Sequence, residues 1–441
     1  MKTRKKPDLL QDPIRGLFFK YLVPSVSATL VTSIYVLADT IIVGKGLGAN
    51  AVAALNLILP LFTIFFGTGL LFGVGGSVMM AVSKGAGDHK KTKEFFTTAL
   101  FASIAMILIY DGLGIMYFDE VLTLLGGTDA TMGLLREYAK VFMIGTPFFV
   151  FSTFLQAFIR NDNAPKLAMT AVITGGILNI ILDLIFVFPM RMGMAGAAFA
   201  TVLGSVITCT ILCSHFFCKQ NTLKVDLHGF SFRSLGRIFQ NGLSSFLIEM
   251  ANGIVTFVFN RQILIYLADI GVTVYSIIAN TAIIVMSLGN GISQAAQPLI
   301  TMNYGAEKMD RVKEVKRIAL VSAAILGGLF VLLGLLLPET VVRVFIHPTD
   351  EIMALAPAAI RIYFVSFIGC ALNMFLSNYY QAIVKPIPAL TICLLRGLIL
   401  SVILMMILPA VFGASGIWFV MPVTEAVTLG VAVLIGKKSN C

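Results

Sequence analysis

Charge is what this chain has least of. Only 12% of its 441 residues are Asp, Glu, Lys or Arg, about half the share found in soluble globular proteins. Too few polar side chains remain to cover a water-soluble globule of this length. Histidine is almost as scarce. His89, His215, His228 and His347 are isolated, stand mostly in or near connecting segments, and form neither an HExxH pair nor a nucleophile–base spacing, so the chain is expected not to be an enzyme. The six cysteines (Cys209, Cys213, Cys218, Cys370, Cys393, Cys441) contain no CxxC and lie in or beside apolar segments or at the chain end. That placement excludes a disulfide framework and a cysteine metal site. No cleavable leader is expected, because the first apolar stretch is full-length and carries Asp39.

What the chain has instead is hydrocarbon. Hydrophobic residues make up 58% of it, and apolar runs of about 20 residues recur from end to end. The reading is an all-α integral membrane protein with twelve spans: 16–43, 51–80, 94–118, 134–160, 166–188, 194–218, 238–267, 272–302, 316–337, 356–383, 387–408 and 415–436. No soluble domain fits between them.

The net charge of +10 orients the chain and does not indicate nucleic acid. With the N-terminus cytoplasmic, the terminal and even-numbered connecting segments hold 24 of the 32 Lys and Arg. The odd-numbered connections hold six, and Arg261 and Arg396 lie within spans. This is the positive-inside bias, from which both termini are expected in the cytoplasm; the cell membrane is the expected location.

The chain also repeats itself. A shift of 220 residues lays GAGDHKKTKE (85–94) on GAEKMDRVKE (305–314), and Pro189, Gly193 and Gly196 on Pro409, Gly413 and Gly416. A shift of 225 aligns Tyr138 with Tyr363, Gln156 with Gln381 and Arg160 with Lys385. Two pseudo-symmetric six-helix lobes follow: an N-lobe over 1–218, a polar linker over 219–235 and a C-lobe over 236–441. An even number of spans per copy makes the repeats parallel, a layout of secondary transporters that puts substrate between the halves.

Ionisable residues inside spans are costly and are functional candidates by default. Asp39 and Asp183 lie about four and five residues from the outer ends of spans 1 and 5, which is one depth at ~1.5 Å per residue. Asn179 is one turn below Asp183, and Thr201 of span 6 falls at the same level. Two carboxylates crowded in low dielectric cannot both ionise cheaply, so the group could bind and release a proton. Its oxygens could equally hold Na⁺, or each residue could cap a helix or bond across an interface. Arg396 and Glu425 are level with each other and form a candidate structural ion pair. Glu249, near the middle of span 7 with no cation at its depth, is a candidate for substrate binding or C-lobe coupling. Asp111, near the outer end of span 3, is placed to reach water.

The repeat, GAGDHKK after span 2, QAAQPLITMNYGA at the end of span 8 and LNIILDLIFVF in span 5 together resemble the multidrug and toxic compound extrusion (MATE) transporters over essentially the whole chain. The resemblance implies a V-shaped, twelve-helix transporter, expected to act as a monomer. It implies export of organic cations and other amphiphiles by antiport against Na⁺ or H⁺, with no other cofactor. It assigns the N-lobe cation site to Asp39, Asn179, Asp183 and Thr201, and the family's helix 7 glutamate to Glu249. Helix 10 departs from members that carry an Asp there, offering only Asn373 and Asn378. The 34 Phe and 20 Met suit flat greasy cations, although lipid contact and packing account for most of them. Lipid-linked oligosaccharide flippases of related fold are the rival. Their phosphate headgroups call for a cationic cavity, whereas the N-lobe spans carry acids and are expected to contain no buried Arg or Lys.

Overall fold

A computed structural model describes residues 8–219, 221–346 and 348–438. The basic N-terminal hexapeptide, His347 and Cys441 lie outside the described residues. In order the helices are α1 (Ile14–Leu47), α2 (Ala49–Gly85), α3 (His89–Met116), α4 (Phe118–Leu124), α5 (Met132–Ile144), α6 (Thr146–Asn161), α7 (Pro165–Val187), α8 (Gly193–Cys213), α9 (Phe232–Gly305), α10 (Met309–Leu336), α11 (Pro338–Phe345), α12 (Asp350–Phe364), α13 (Ser366–Ala382), α14 (Pro386–Leu394), α15 (Leu400–Phe412) and α16 (Ala414–Lys438). A π-helical turn, Leu395–Ile399, joins α14 to α15.

Helix is what the composition demands, since backbone polar groups in hydrocarbon must be satisfied within their own segment. Ten helical stretches are long and apolar enough to span a bilayer, and α5 with α6, bent by 53°, makes an eleventh as one broken span. The twelfth is hidden in α9. Its 74 residues would extend ~110 Å as one straight helix, far beyond any bilayer, and it is two helices meeting at Ala268 (φ 51°, ψ −152°).

The repeat is written into the backbone. Positive φ occurs at Gly48 and Ala268, at Gly87 and Glu307, and at Gly193 and Gly413, each pair 220 residues apart, and at Asn163 and Val384, 221 apart. The break between α5 and α6 at Gly145 returns 220 residues later between α12 and α13 at Val365. A spacing of 220 to 221 therefore serves all these breaks, including those of the fourth span, where residue identities alone point to 225.

By contact the chain forms two compact units. The first comprises Val23–Met250 with Thr301–Lys308. Its core is aromatic, with Phe142 and Phe149 stacked across the α5–α6 break at 4.6 Å between centroids and Phe65 stacked on Phe142 at 5.6 Å. Lipid tails are as apolar as leucine, so helices in a bilayer are held by close van der Waals packing. Gly69 shows the requirement: a Cβ there would sit 1.8 Å from Thr153 Oγ1, so α2 meets α6 only because that position has no side chain.

The polar linker is docked on this unit. Thr97 Oγ1 accepts from the Asp226 amide at 3.0 Å, Thr98 Oγ1 from the Ser231 amide at 3.2 Å, and Glu94 Oε1 from the Ser234 hydroxyl at 2.6 Å. The strongest tie is Asp162, directly after α6 and buried. Lys84 Nζ donates to its Oδ1 at 2.6 Å, His215 Nε2 lies 2.8 Å from its Oδ2, and Thr222 bonds it through both amide and hydroxyl. One carboxylate thus joins the ends of α2, α6 and α8 to the linker. Burial pushes its pKa up, but the bond from His215, the Lys84 charge and the Thr222 hydroxyl together outweigh burial and hold it below the usual carboxylate value.

The second unit comprises Met1–Leu22, Ala251–Ile300 and Met309–Cys441. Its core repeats the aromatic clamp across the broken helix, with Phe364 and Phe367 4.6 Å apart on either side of Val365. Trp418, Ile417 and Val420 of α16 complete it.

Two outcomes test these assignments. Ala268 occupies a backbone region that is essentially glycine's alone, at a cost of about 1–3 kcal/mol. Ala268→Gly should therefore raise the thermal unfolding midpoint in detergent by about 1–3 °C; a fall would refute the strain. Asp162→Asn should lower the midpoint, because it leaves half-buried Lys84 without its counter-ion, an effect of about 1–3 kcal/mol. The Asp162 contribution is fully present above its unfolded pKa of ~3.9 and is lost as pH falls through its lower folded value. The gap between wild type and variant should hold from pH 7 to 5 and close in stronger acid.

Candidate functional site

In the first unit the four polar residues of spans 1, 5 and 6 gather at one place. Asp183 is fully buried and Asn179 nearly so, while Asp39 and Thr201 are half-buried. The Asp39 and Asp183 carboxyls stand close enough for the charge on one to act on the other. Close helix packing sets this up. A Cβ on Gly204 of α8 would stand 3.0 Å from Asn179 Cβ, so the missing side chain lets α7 and α8 bring Asn179 and Thr201 to the same cavity wall.

Neighbouring donors are absent where they would be expected. Both Asp183 oxygens, Asp39 Oδ1 and both polar atoms of Asn179 are buried with no hydrogen-bond partner among the described residues. Such orphans ordinarily cost about 1–3 kcal/mol each, and a bound proton or a hard cation would satisfy the oxygens among them, while the Asn179 amide nitrogen needs an acceptor. Asp39, Asp183, Asn179 and Thr201 therefore fit either occupant by donor chemistry.

Two tyrosines complete the cluster and escaped the sequence reading. Tyr138 of α5 is buried, within electrostatic range of Asp39 and Asp183 and close to Thr201. Its depth, four residues from the outer end of span 4, was the available signal, but attention to charged residues passed over a neutral phenol. Tyr35 of α1 stands within electrostatic range of both Asp39 and Glu249. Glu249, half-buried near the start of α9, packs at Gly67, its Cβ 3.8 Å from where a Cβ would project there. It has no salt bridge among the described residues and shares a unit with Asp39 and Asp183. Asp111 is half-buried beside Thr146, at the α5–α6 break.

Below the acids runs a cavity of ≈ 50 Å³, room for a few waters. Asn179 and Thr201 line one end; Gln156, Val172 and Thr208 line the other; Thr32 and Tyr35 of α1 and Phe62, Phe66 and Phe149 close its sides. The far end corrects one expectation. Arg160, the last residue of span 4, is only 6% exposed, and its Nη2 donates to Gln156 Oε1 at 3.0 Å. The N-lobe spans do contain a buried cation. An arginine at a helix end normally extends to water; this one folds back along its own helix.

In the second unit the charges are closed on one another. Arg396 Nε donates to Glu425 Oε1 at 2.8 Å and its Nη2 to Cys370 Sγ at 2.9 Å; Asn373 Nδ2 donates to Glu425 Oε2 at 2.8 Å and to the Glu425 carbonyl at 2.9 Å. Arg396 sits in the π-helical turn, whose slack is taken up by Ser401 Oγ donating to the Arg396 carbonyl at 2.6 Å. Asn373, one of the two polar options in helix 10, is thereby committed to Glu425.

A family model described as MatE matches residues 24–185 and 242–407. Multidrug export protein MepA of Staphylococcus aureus (strain MSSA476) is 25% identical over 431 residues, covering 96% of this chain and 94% of that protein. Its namesake from Staphylococcus saprophyticus is 24% identical over 421 residues, covering 94% and 92%. Among solved structures, an outward-facing multidrug resistance MATE family transporter of the MOP superfamily superposes with TM-score 0.91 at 24% identity, covering 100% of this chain and 98% of that one. A MOP superfamily transporter from Pyrococcus furiosus superposes with TM-score 0.89 at 24% identity, over 99% and 98%.

The closed network makes its own prediction. Glu425→Gln leaves Arg396, charged and half-buried, without its counter-charge, and should lower the unfolding midpoint in detergent by roughly 5 °C. The double replacement Arg396→Met, Glu425→Met removes both charges and should recover more than half of that loss. Equal loss in both variants would mean that the ion pair itself is stabilising.

Proposed function

The chain belongs to the MATE family of membrane transporters, and from that premise we propose that it exports organic cations and amphiphilic drugs by antiport against Na⁺ or H⁺. The names of its relatives, multidrug export proteins, support the substrate range. The observation that carries the coupling is the set of unsatisfied buried oxygens on Asp39, Asn179 and Asp183. These oxygens sit in hydrocarbon with no bonded donor among the described residues, so an occupant that comes and goes is the reading that accounts for their persistence.

The residue roles follow. Asp183 and Asp39 hold the coupling ion, Asn179 contributes its amide oxygen, and Thr201 and Tyr138 orient the group from α8 and α5. Glu249 attracts the cationic substrate, with Tyr35 between it and Asp39. The ion acts by preferring one conformation, since a ligand shifts an equilibrium only through differential affinity. The α1 helix is the element suited to respond: it carries Asp39 and Tyr35, and Pro24 removes one backbone hydrogen bond near its start. On this reading the protein works as a monomer in the cell membrane with both termini cytoplasmic. The flippase alternative is disfavoured by the acids at the head of the cavity and by the relatives' names.

The test is transport in proteoliposomes under separately imposed Na⁺ and H⁺ gradients. Wild type should export a cationic dye under at least one gradient. Asp183→Asn, which keeps size and hydrogen bonding while removing the charge, should insert normally and lose gradient-driven export by at least tenfold, as for removal of a group that binds the driving ion. Full export by well-folded Asp183→Asn would remove the assignment.

A further inference from the structure

Arg160 presents a problem the coupling site does not solve. Guanidinium stays charged under all ordinary conditions and offers five N–H donors. Arg160 is 6% exposed and makes one hydrogen bond, to Gln156 Oε1. No carboxylate lies within 4.0 Å of it among the described residues. The nearest acid in sequence, Asp162, is already taken by Lys84, His215 and Thr222. A buried cation left without a counter-charge is strongly disfavoured.

Its direction indicates where the counter-charge belongs. Side chains on a helix lean toward the N-terminus, and the bond to Gln156, one turn earlier, shows Arg160 doing so. Gln156 in turn lines the cavity. The cavity therefore has carboxylates beyond its Asn179–Thr201 end and a guanidinium behind its Gln156 end, with aromatic walls between.

We propose that Arg160, presented through Gln156, is an anion-recognition element that makes the N-lobe cavity bipolar, so that it takes a monovalent anion together with the cation held at the acids. The anion is either a carboxylate carried by a zwitterionic substrate or a free halide accompanying a cationic one. This rests on the reading of the cavity as part of the transport site and specifies its ligand. At ≈ 50 Å³ the cavity admits a halide with water as it stands. A larger zwitterion requires α1, which forms one wall through Thr32 and Tyr35, to move aside.

The test uses full-length protein in detergent and two dyes that differ only at one carboxyl: rhodamine 110, the free acid, and rhodamine 123, its methyl ester. Binding is followed by fluorescence anisotropy in chloride and in gluconate. If the anion is the substrate's own, Arg160→Gln should weaken rhodamine 110 binding about tenfold or more while changing rhodamine 123 less than about twofold. If the anion is a halide, wild-type affinity for rhodamine 123 should fall in gluconate, and Arg160→Gln should abolish that dependence. In either case Arg160→Lys, which keeps the charge without the fork, should retain part of the effect and guards against loss of fold. Equal weakening of both dyes in both variants, without a chloride effect, would make Arg160 purely structural and overturn the proposal, as would no change or no binding of either dye. Gradient-driven export of rhodamine 123 reports separately on the transport reading: it can persist when the Arg160 variants show no selectivity, and it can fail while binding still separates the two dyes.

Discussion

A carboxylate surrounded by hydrocarbon must find a donor, a cation or a proton, and the two units of this chain meet that constraint in opposite ways. Glu425 finds donors within the protein: Arg396 and Asn373 occupy its two oxygens and even its carbonyl is bonded. Asp183 finds none among the described residues. Two copies of one six-helix plan thus hold a closed charge and an open one. The closed charge knits α13, the π-helical turn and α16 together. The open one can be completed only by something that arrives.

Shape makes the open site sustainable. Glycine at 204 brings α7 and α8 close enough to set Asn179 and Thr201 on one wall, and the stacked rings of Phe142 and Phe149 brace the bend that presents Tyr138. Toward the other end, Asp162 gathers three helix ends and the linker, so the floor beneath Gln156 is fixed while its ceiling is polar and unsatisfied.

Much of this was legible in sequence because helices translate distance into residue count. At a fixed rise per residue, depth counting put Asp39, Asn179, Asp183 and Thr201 at one level and Arg396 opposite Glu425; Arg396 and Glu425 do meet, and Asn179 and Thr201 line one cavity. What stayed hidden depends on rotation and on long loops. Arg160 sits where a helix end promises water, and only its rotamer reveals that it turns inward. Asp162 joins partners 78, 53 and 60 residues away, a convergence that no local pattern encodes. The 225-residue offset in the fourth span came from isolated identities, whereas the backbone breaks at Gly145 and Val365 keep 220, because a helix interruption constrains register more tightly than any one side chain does.

The places where the chain passes between units bear on how it is made. It leaves the first unit at Met250, inside α9, and returns for Thr301–Lys308 before leaving for good. Gly305 fills part of that return, so close to α2 that a Cβ would meet the Val82 carbonyl at 2.0 Å. The first unit therefore cannot close until residue 308 has been synthesised, long after its own six spans have entered the membrane. Until then the end of α2 lacks its partner, and a ribosome stalled or a chain cut within the linker would leave a six-span intermediate with an unfilled seam rather than a finished half.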